Sequence, residues 1–229
     1  MGEIIDYIGW YADETLKPAS RFSSWQPCYE HFGRQGVTSD RQTILELGFY
    51  LASWGMYRGS GFLLQRNATV HEGVAEILQK PEYRGLHSHA PLHVGAVRID
   101  LIESLYQKIH DHYKTWSVTV RNKEGNPQNT SETLVTKVML GTTGCIPAFD
   151  NYVEAAMKDI DGLSYSLKAS KRRSTIKSLW KYYFGNIHEF EAVSEMLRTE
   201  GHPDYPPMKL LDMYLWTKGK MLKRKSESP

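Results

Sequence analysis

The chain has 229 residues, of which 41% are hydrophobic and 24% charged, and its formal net charge is +2. This is the composition of an ordinary soluble globular fold with ample length to bury a core, and neither an internal repeat nor a low-complexity segment is visible. Cys28 and Cys145 match no metal or redox spacing and read as reduced, buried thiols, which points to a cytoplasmic protein. The first residues carry Glu3 and Asp6 and lack the basic start of a signal peptide. The most apolar run, residues 43–57, includes Glu46 and is flanked by Arg41 and Arg58. It falls short of the roughly 20 residues a membrane span requires, so it is a core helix and no membrane partner is expected.

Taken in chain order, the pattern is helical. Ser24 is placed to cap a helix with Trp25, Cys28, Tyr29 and Phe32 on one face, which Gly33 and Gly36 would end. Ser39 to Gln42 reads as a capping box for the next helix, along which Gly48, Ala52, Gly55 and Gly59 form a stripe of small residues suited to close packing. Thr69 to Glu72 is a second capping box, leading into Val74, Ile77 and Leu78. Residues 81–91 form a loop rich in His and Gly. Val94, Val97, Leu101, Ile102, Leu105 and Ile109 then predict a long amphipathic helix, with a short strand at 116–120. Residues 121–130 are the clearest exposed loop. A helix carrying Lys137 leads through a glycine-bracketed turn to Ile146-Pro147-Ala148-Phe149-Asp150, where Asp150 starts another helix through Val153, Ala156 and Met157. Ile176, Leu179, Trp180 and Tyr183 mark a further helix, and Met208, Leu211, Tyr214 and Leu215 a last one that ends near Gly219. The expected architecture is all-α, one domain over residues 1–225 with two lobes meeting near 121–130, and a disordered tail at 226–229.

Charge is unevenly distributed. Lys168, Lys171, Arg172, Arg173, Lys177 and Lys181 follow one another without an intervening acid, and Lys218, Lys220, Lys223, Arg224 and Lys225 make a second basic run, so the rest of the chain is net acidic. Basic residues beside Trp180, Tyr182, Tyr183 and Phe184 suit a nucleic-acid backbone; a solvated basic face and a frayed tail are the structural alternative. Arg58, four residues after Trp54, could stack on that indole and reach a phosphate, or be buried against Glu46 or Asp212. His87, His89 and His93, with His110 and His112 further on, are close enough in sequence to evoke zinc. No carboxylate or cysteine completes a set, Glu103 being on an unconstrained helix face, so no metal and no cofactor are expected. No P-loop, dinucleotide fingerprint, HExxH, GxSxG or CxxC pair occurs.

The segments SSWQPCYEHF, FYLASWGMYRGSGFLLQ, TLVTKVMLGTTGCIPAFDNYV and MKLLDMYLW together resemble a family of uncharacterised prokaryotic proteins, a resemblance that implies no activity. Ile146-Pro147 with Asp150 and Val153 is also similar to the segment of helix-hairpin-helix DNA glycosylases in which an aspartate opens a helix after an Ile/Val-Pro turn. That resemblance implies DNA binding, a catalytic carboxylate at Asp150 and an amine nucleophile at Lys137. The chain departs from it in lacking the Leu-Pro-Gly-Val-Gly hairpin and in a shorter lysine-to-aspartate spacing. From the residues alone, Asp150 is either a helix cap or a carboxylate that stabilises developing positive charge, and Lys137 either a snorkelling lysine or a nucleophile. The reading is a nucleic-acid-binding protein contacting phosphate through Arg58, Lys171, Arg172, Arg173, Lys177 and Lys181, with a glycosylase-like site. The alternative is a non-enzymatic helical module that pairs with another protein.

Overall fold

Among the described residues the regular structure consists of eleven α-helices and three short 3-10 segments with no strand, the all-α class that the sequence pattern predicts. The structure, a computed structural model, describes residues 2–34, 38–59, 61–87, 99–122 and 125–227. The helices are α1 (Glu3–Leu16), α2 (Trp25–Gly33), α3 (Arg41–Ser53), α4 (Glu72–Leu78), α5 (Pro81–Arg84), α6 (Ile99–Ser117), α7 (Glu132–Thr142), α8 (Asn151–Asp159), α9 (Ala169–Gly185), α10 (Ile187–Thr199) and α11 (Pro207–Glu227). No helix among the described residues is long and apolar enough to cross a membrane.

The centre is α7. Every residue from 134 to 142 is buried, so beyond the half-buried Glu132 and Thr133 this helix has no solvent face, and it packs against α2, α3 and α6. Close approach is built in at Gly141, where a Cβ would collide with the Tyr50 ring of α3. The other organiser is α11, which packs most extensively on α8 and also on α1, α9 and α10. Lys218 ties it to both main neighbours, 3.0 Å from Glu3 of α1 and 3.2 Å from Asp159 at the end of α8.

Several local expectations are corrected. α11 does not end near Gly219 but runs on to Glu227, so Ser226 is helical; positions 228–229 of the expected tail lie outside the described residues. Gly219 is where α11 crosses α8: a Cβ there would overlap the Tyr152 carbonyl, which makes it a packing glycine and not a stop. The small-residue stripe is not a packing face, because α3 stops at Ser53 and Gly55 (φ 72°) and Gly59 (φ 60°) shape the following turn in left-handed geometry. The caps also shift: Asp40 accepts from Thr43 N–H and Asn67 from Thr69 N–H, while the Ser24 hydroxyl donates backwards to the Arg21 carbonyl. The predicted strand at 116–120 is the end of α6 followed by a turn, because Tyr113 and Ser117 continue that helix's buried face. Gly36, His89, His93, Val94 and Val97 lie outside the described residues.

His71 is fully buried between two tyrosines, its Nδ1 2.7 Å from the Tyr113 hydroxyl and its Nε2 2.5 Å from the Tyr57 hydroxyl. Burial, and secondarily the neighbouring His112, pull its pKa down to about 3. Below the ordinary histidine range the unfolded chain takes up a proton that the folded chain refuses, so stability falls as pH drops from about 6.5 towards 3. Equilibrium urea unfolding across this window should show that decline, and His71→Gln, less stable at neutral pH, should show a flatter pH profile. A second expectation concerns Gly219→Ala. The substitution improves intrinsic helix propensity, yet it should destabilise the fold by about 2 kcal/mol because α11 must lift off Tyr152; an unchanged melting temperature would refute the tight crossing.

Candidate functional site

The segment between α7 and α8 is held by side chains from outside it. Ala148 N–H donates to Asp212 Oδ1 of α11 (2.9 Å), Phe149 N–H donates to Thr136 Oγ1 (2.9 Å), and the Thr133 hydroxyl donates to the Phe149 carbonyl (2.7 Å). Buried Asp212 is in turn paired with buried Lys209, whose Nζ lies 3.3 Å from Oδ2 and 3.0 Å from the Tyr11 hydroxyl. Burial pushes the Lys209 amine down and the Asp212 carboxyl up, and each partner opposes that shift in the other. These three backbone polar groups are thus satisfied without regular structure.

Asp150 is placed by this loop, and it both caps and pairs. Its Oδ1 accepts from Tyr152 N–H (3.0 Å) and Val153 N–H (3.2 Å), while Oδ2 lies 3.3 Å from Lys137 Nζ. Lys137 does not snorkel. Its side chain is only 5% exposed, and its ammonium also sits 4.8 Å from the centre of the Trp54 ring. An ammonium on an otherwise enclosed helix requires such compensation.

The Lys137–Asp150 pair forms part of the lining of a cavity of about 670 Å³ between the turn after α3, the start of α8 and the C-terminal half of α11. Arg21, Arg58, Lys220, Lys223 and Arg224 also line it, and Asp150 is the one carboxylate among the described lining residues. Three of these cations lie against aromatic rings: Arg21 is 5.1 Å from the Trp54 centroid, Lys220 5.2 Å from Trp216 and 4.1 Å from Trp10, and Lys223 5.6 Å from Tyr152. Among the described residues none of Arg21, Arg58, Lys220 and Lys223 is within ion-pair distance of a carboxylate. Burial, then the nearby Arg224, lowers the Lys220 pKa; Glu14 counteracts this but is itself ion-paired with Lys17. The Trp54 indole N–H is buried without an acceptor among the described residues, leaving an unused donor on a residue of the cavity wall.

The sequence-derived candidates are divided by this geometry. Lys137, Asp150 and Arg58 meet at the cavity. Arg58 is exposed there and pairs with neither Glu46 nor Asp212, and the cations over Trp54 are Arg21 and Lys137. The basic helix α9 contributes nothing to the lining. Arg172 is buried, with Nε donating to the Leu167 carbonyl, Nη1 to Gln107, and its guanidinium 3.9 Å from the Tyr106 ring centre. Arg173 pairs with Glu103 of α6 at 3.0 Å, and Lys171, Lys177 and Lys181 are exposed. Sequence reasoning missed Arg21, and it noted Lys220, Lys223 and Arg224 as part of a basic run, with a frayed tail as the alternative, without placing them at a site. The available signal was their helical spacing from Trp216 at +4, +7 and +8. Among the described residues no histidine, cysteine or carboxylate cluster could hold a metal; His87 is stacked on Tyr29, with ring centres 4.0 Å apart.

The fold and site together define an all-α protein with a cationic, aromatic-backed cavity over a buried lysine–aspartate pair. Comparison with protein-family models, curated proteins and solved structures finds no match.

Capping and pairing at Asp150 can be separated by mutation. Asn caps as well as Asp, so Asp150→Asn should keep the cap yet cost about 3 kcal/mol by leaving the Lys137 ammonium unpaired. Lys137→Met should cost less, since Asp150 keeps its two amide donors, and the double variant should recover part of the Asp150→Asn loss. Urea unfolding of the three variants gives the coupling. A loss of about 1 kcal/mol for Asp150→Ala and none for Asp150→Asn would assign Asp150 to capping alone.

Proposed function

We propose that the protein binds nucleic acid in the cationic cavity, with Arg21, Arg58, Lys220, Lys223 and Arg224 as the phosphate contacts. The observation that carries this reading is the manner in which the cations are held. Arg21, Lys220 and Lys223 rest on ring faces, which orient a cation without neutralising it, so positive charge persists at the mouth of the cavity. Phosphates are the natural counter-charge for such a group, and binding through them releases condensed counterions.

Binding to DNA measured across a salt series tests the reading. The logarithm of the association constant should fall linearly with the logarithm of salt concentration, and Lys223→Ala or Arg58→Ala should each reduce the slope by about 1. Lys177→Ala on α9 should leave the slope nearly unchanged. Absent or salt-insensitive binding rules the proposal out.

A second reading is favoured by the contact between Lys137 and Asp150. As a glycosidic bond breaks and the base departs with the bonding electron pair, the Asp150 carboxylate can stabilise the positive charge left on the sugar, while Lys137 Nζ, 3.3 Å from that carboxylate, gives its proton to the departing base and attacks the sugar carbon as the free amine. Base release from a DNA oligonucleotide, lost in both Lys137→Met and Asp150→Asn, would support this glycosylase-like chemistry. Release retained by Asp150→Asn would eliminate it.

A further inference from the structure

We infer that the cavity takes an unpaired nucleotide of a single strand, and that the Arg21 guanidinium, backed by Trp54, is the plane on which its base stacks. The inference rests on the nucleic-acid reading above and deepens it.

The first argument is the polarity gradient from floor to rim. At the floor Lys137 and Asp150 cancel to no net charge, and their polar atoms are largely satisfied by one another and by the α8 amides. At the rim stand Arg58, Lys223 and Arg224, all at least partly exposed. A ligand matched to this arrangement is uncharged where it enters and anionic where it stays outside. A nucleotide unit has that distribution, with base and sugar at one end and phosphate at the other.

The second argument is shape. A volume of about 670 Å³ lies within the roughly 300–1,000 Å³ that hold a single drug-sized ligand. A paired base cannot enter such a recess without leaving its helix, so a duplex would touch only the rim and leave the Lys137 floor unfilled. A single strand supplies an unpaired base at no unpairing cost.

The third argument is the stacking surface. Tyr11 runs parallel to the Trp54 ring at 6.5 Å, and Lys137 and Arg21 lie against the same indole at 4.8 and 5.1 Å, so Trp54 offers little open face. Arg21 is exposed. Its planar guanidinium can accept a base on the side away from the indole, giving a Trp–Arg–base stack. Lysine at this position would keep the charge and lose the plane.

The test is tryptophan-fluorescence titration of the full chain with a short oligothymidylate, with a matching oligouridylate, and with blunt duplexes of equal length, all at one salt concentration. Either single strand should bind about tenfold tighter than its own duplex and quench fluorescence. The preferred strand then tells which nucleic acid supplies the ligand. Arg21→Lys should preserve the salt slope while losing most of the preference and the quenching; Arg21→Ala should lose slope as well. Equal affinity for strand and duplex overturns the inference and leaves the nucleic-acid reading standing. So does an Arg21→Lys protein with undiminished strand preference, as far as the stacking residue is concerned. No binding to any of the four overturns both.

Discussion

The site depends on the burial of one ammonium. α7 is buried from residue 134 to 142, and Lys137 is the charged residue within that stretch. A buried charge is tolerated only when an opposite charge and polar contacts replace water. Asp150 and the Trp54 face do this, and each is fixed in turn: Asp150 by the α8 amides, Trp54 by the Gly55 turn and by Tyr11 stacked parallel to it. Behind them stands a second pair, Lys209–Asp212, whose carboxylate holds the Ala148 amide and so sets where the loop delivers Asp150. The four charges, two of each sign, are felt across the cluster, since burial raises the Asp212 carboxyl and Lys209, Lys137 and Asp150 all act on it. Changes at any one of them are expected to be non-additive with changes at the others.

α11 links this interior to the surface. Its first turns are buried and carry Lys209 and Asp212; its last turns carry Lys220, Lys223 and Arg224 to the cavity mouth. The transition between them is the crossing at Gly219, where the backbone of Tyr152 lies against the helix. One helix therefore anchors the loop that places Asp150 and also presents the cations above it. Its position is fixed from the opposite side by Lys218, which is neutralised by Glu3 and Asp159 and takes no part in the cavity lining.

Periodicity and local chemistry made the helical class legible, and with it the α7–turn–α8 junction and the cap at Asp150, because these depend on residues near one another in sequence. What escaped depends on residues that meet only in three dimensions. Ala148 and Asp212 are 64 positions apart, and nothing around either announces the bond between them. The glycine at 219 carries the same letter as a helix stop, and only the proximity of Tyr152 gives it its packing role. Charge density drew attention to α9, yet Arg172 and Arg173 are consumed by Tyr106, Gln107 and Glu103 of α6. Lys220 and Lys223, in what reads as a frayed terminus, lie against rings and have no carboxylate within ion-pair distance among the described residues. A count of basic residues does not register whether each is already paired.

The cations over the cavity invite a purely structural explanation, and it covers only part of them. Positive residues in the last turns of a helix are stabilised by its dipole, which accounts for Arg224 and Lys225 at the end of α11. The dipole does not reach Arg21, in a 3-10 segment near the other end of the chain, or Arg58, in the turn after α3. Nor does it relieve Lys220, whose charged form is disfavoured by burial and by Arg224 and Arg21 together. These side chains converge on one concave surface with, among the described lining residues, one carboxylate that is already engaged, and the crowding of like charge is felt at Lys220. Such local conflict is characteristic of surfaces shaped for a ligand, and an anion at the mouth of the cavity would resolve it.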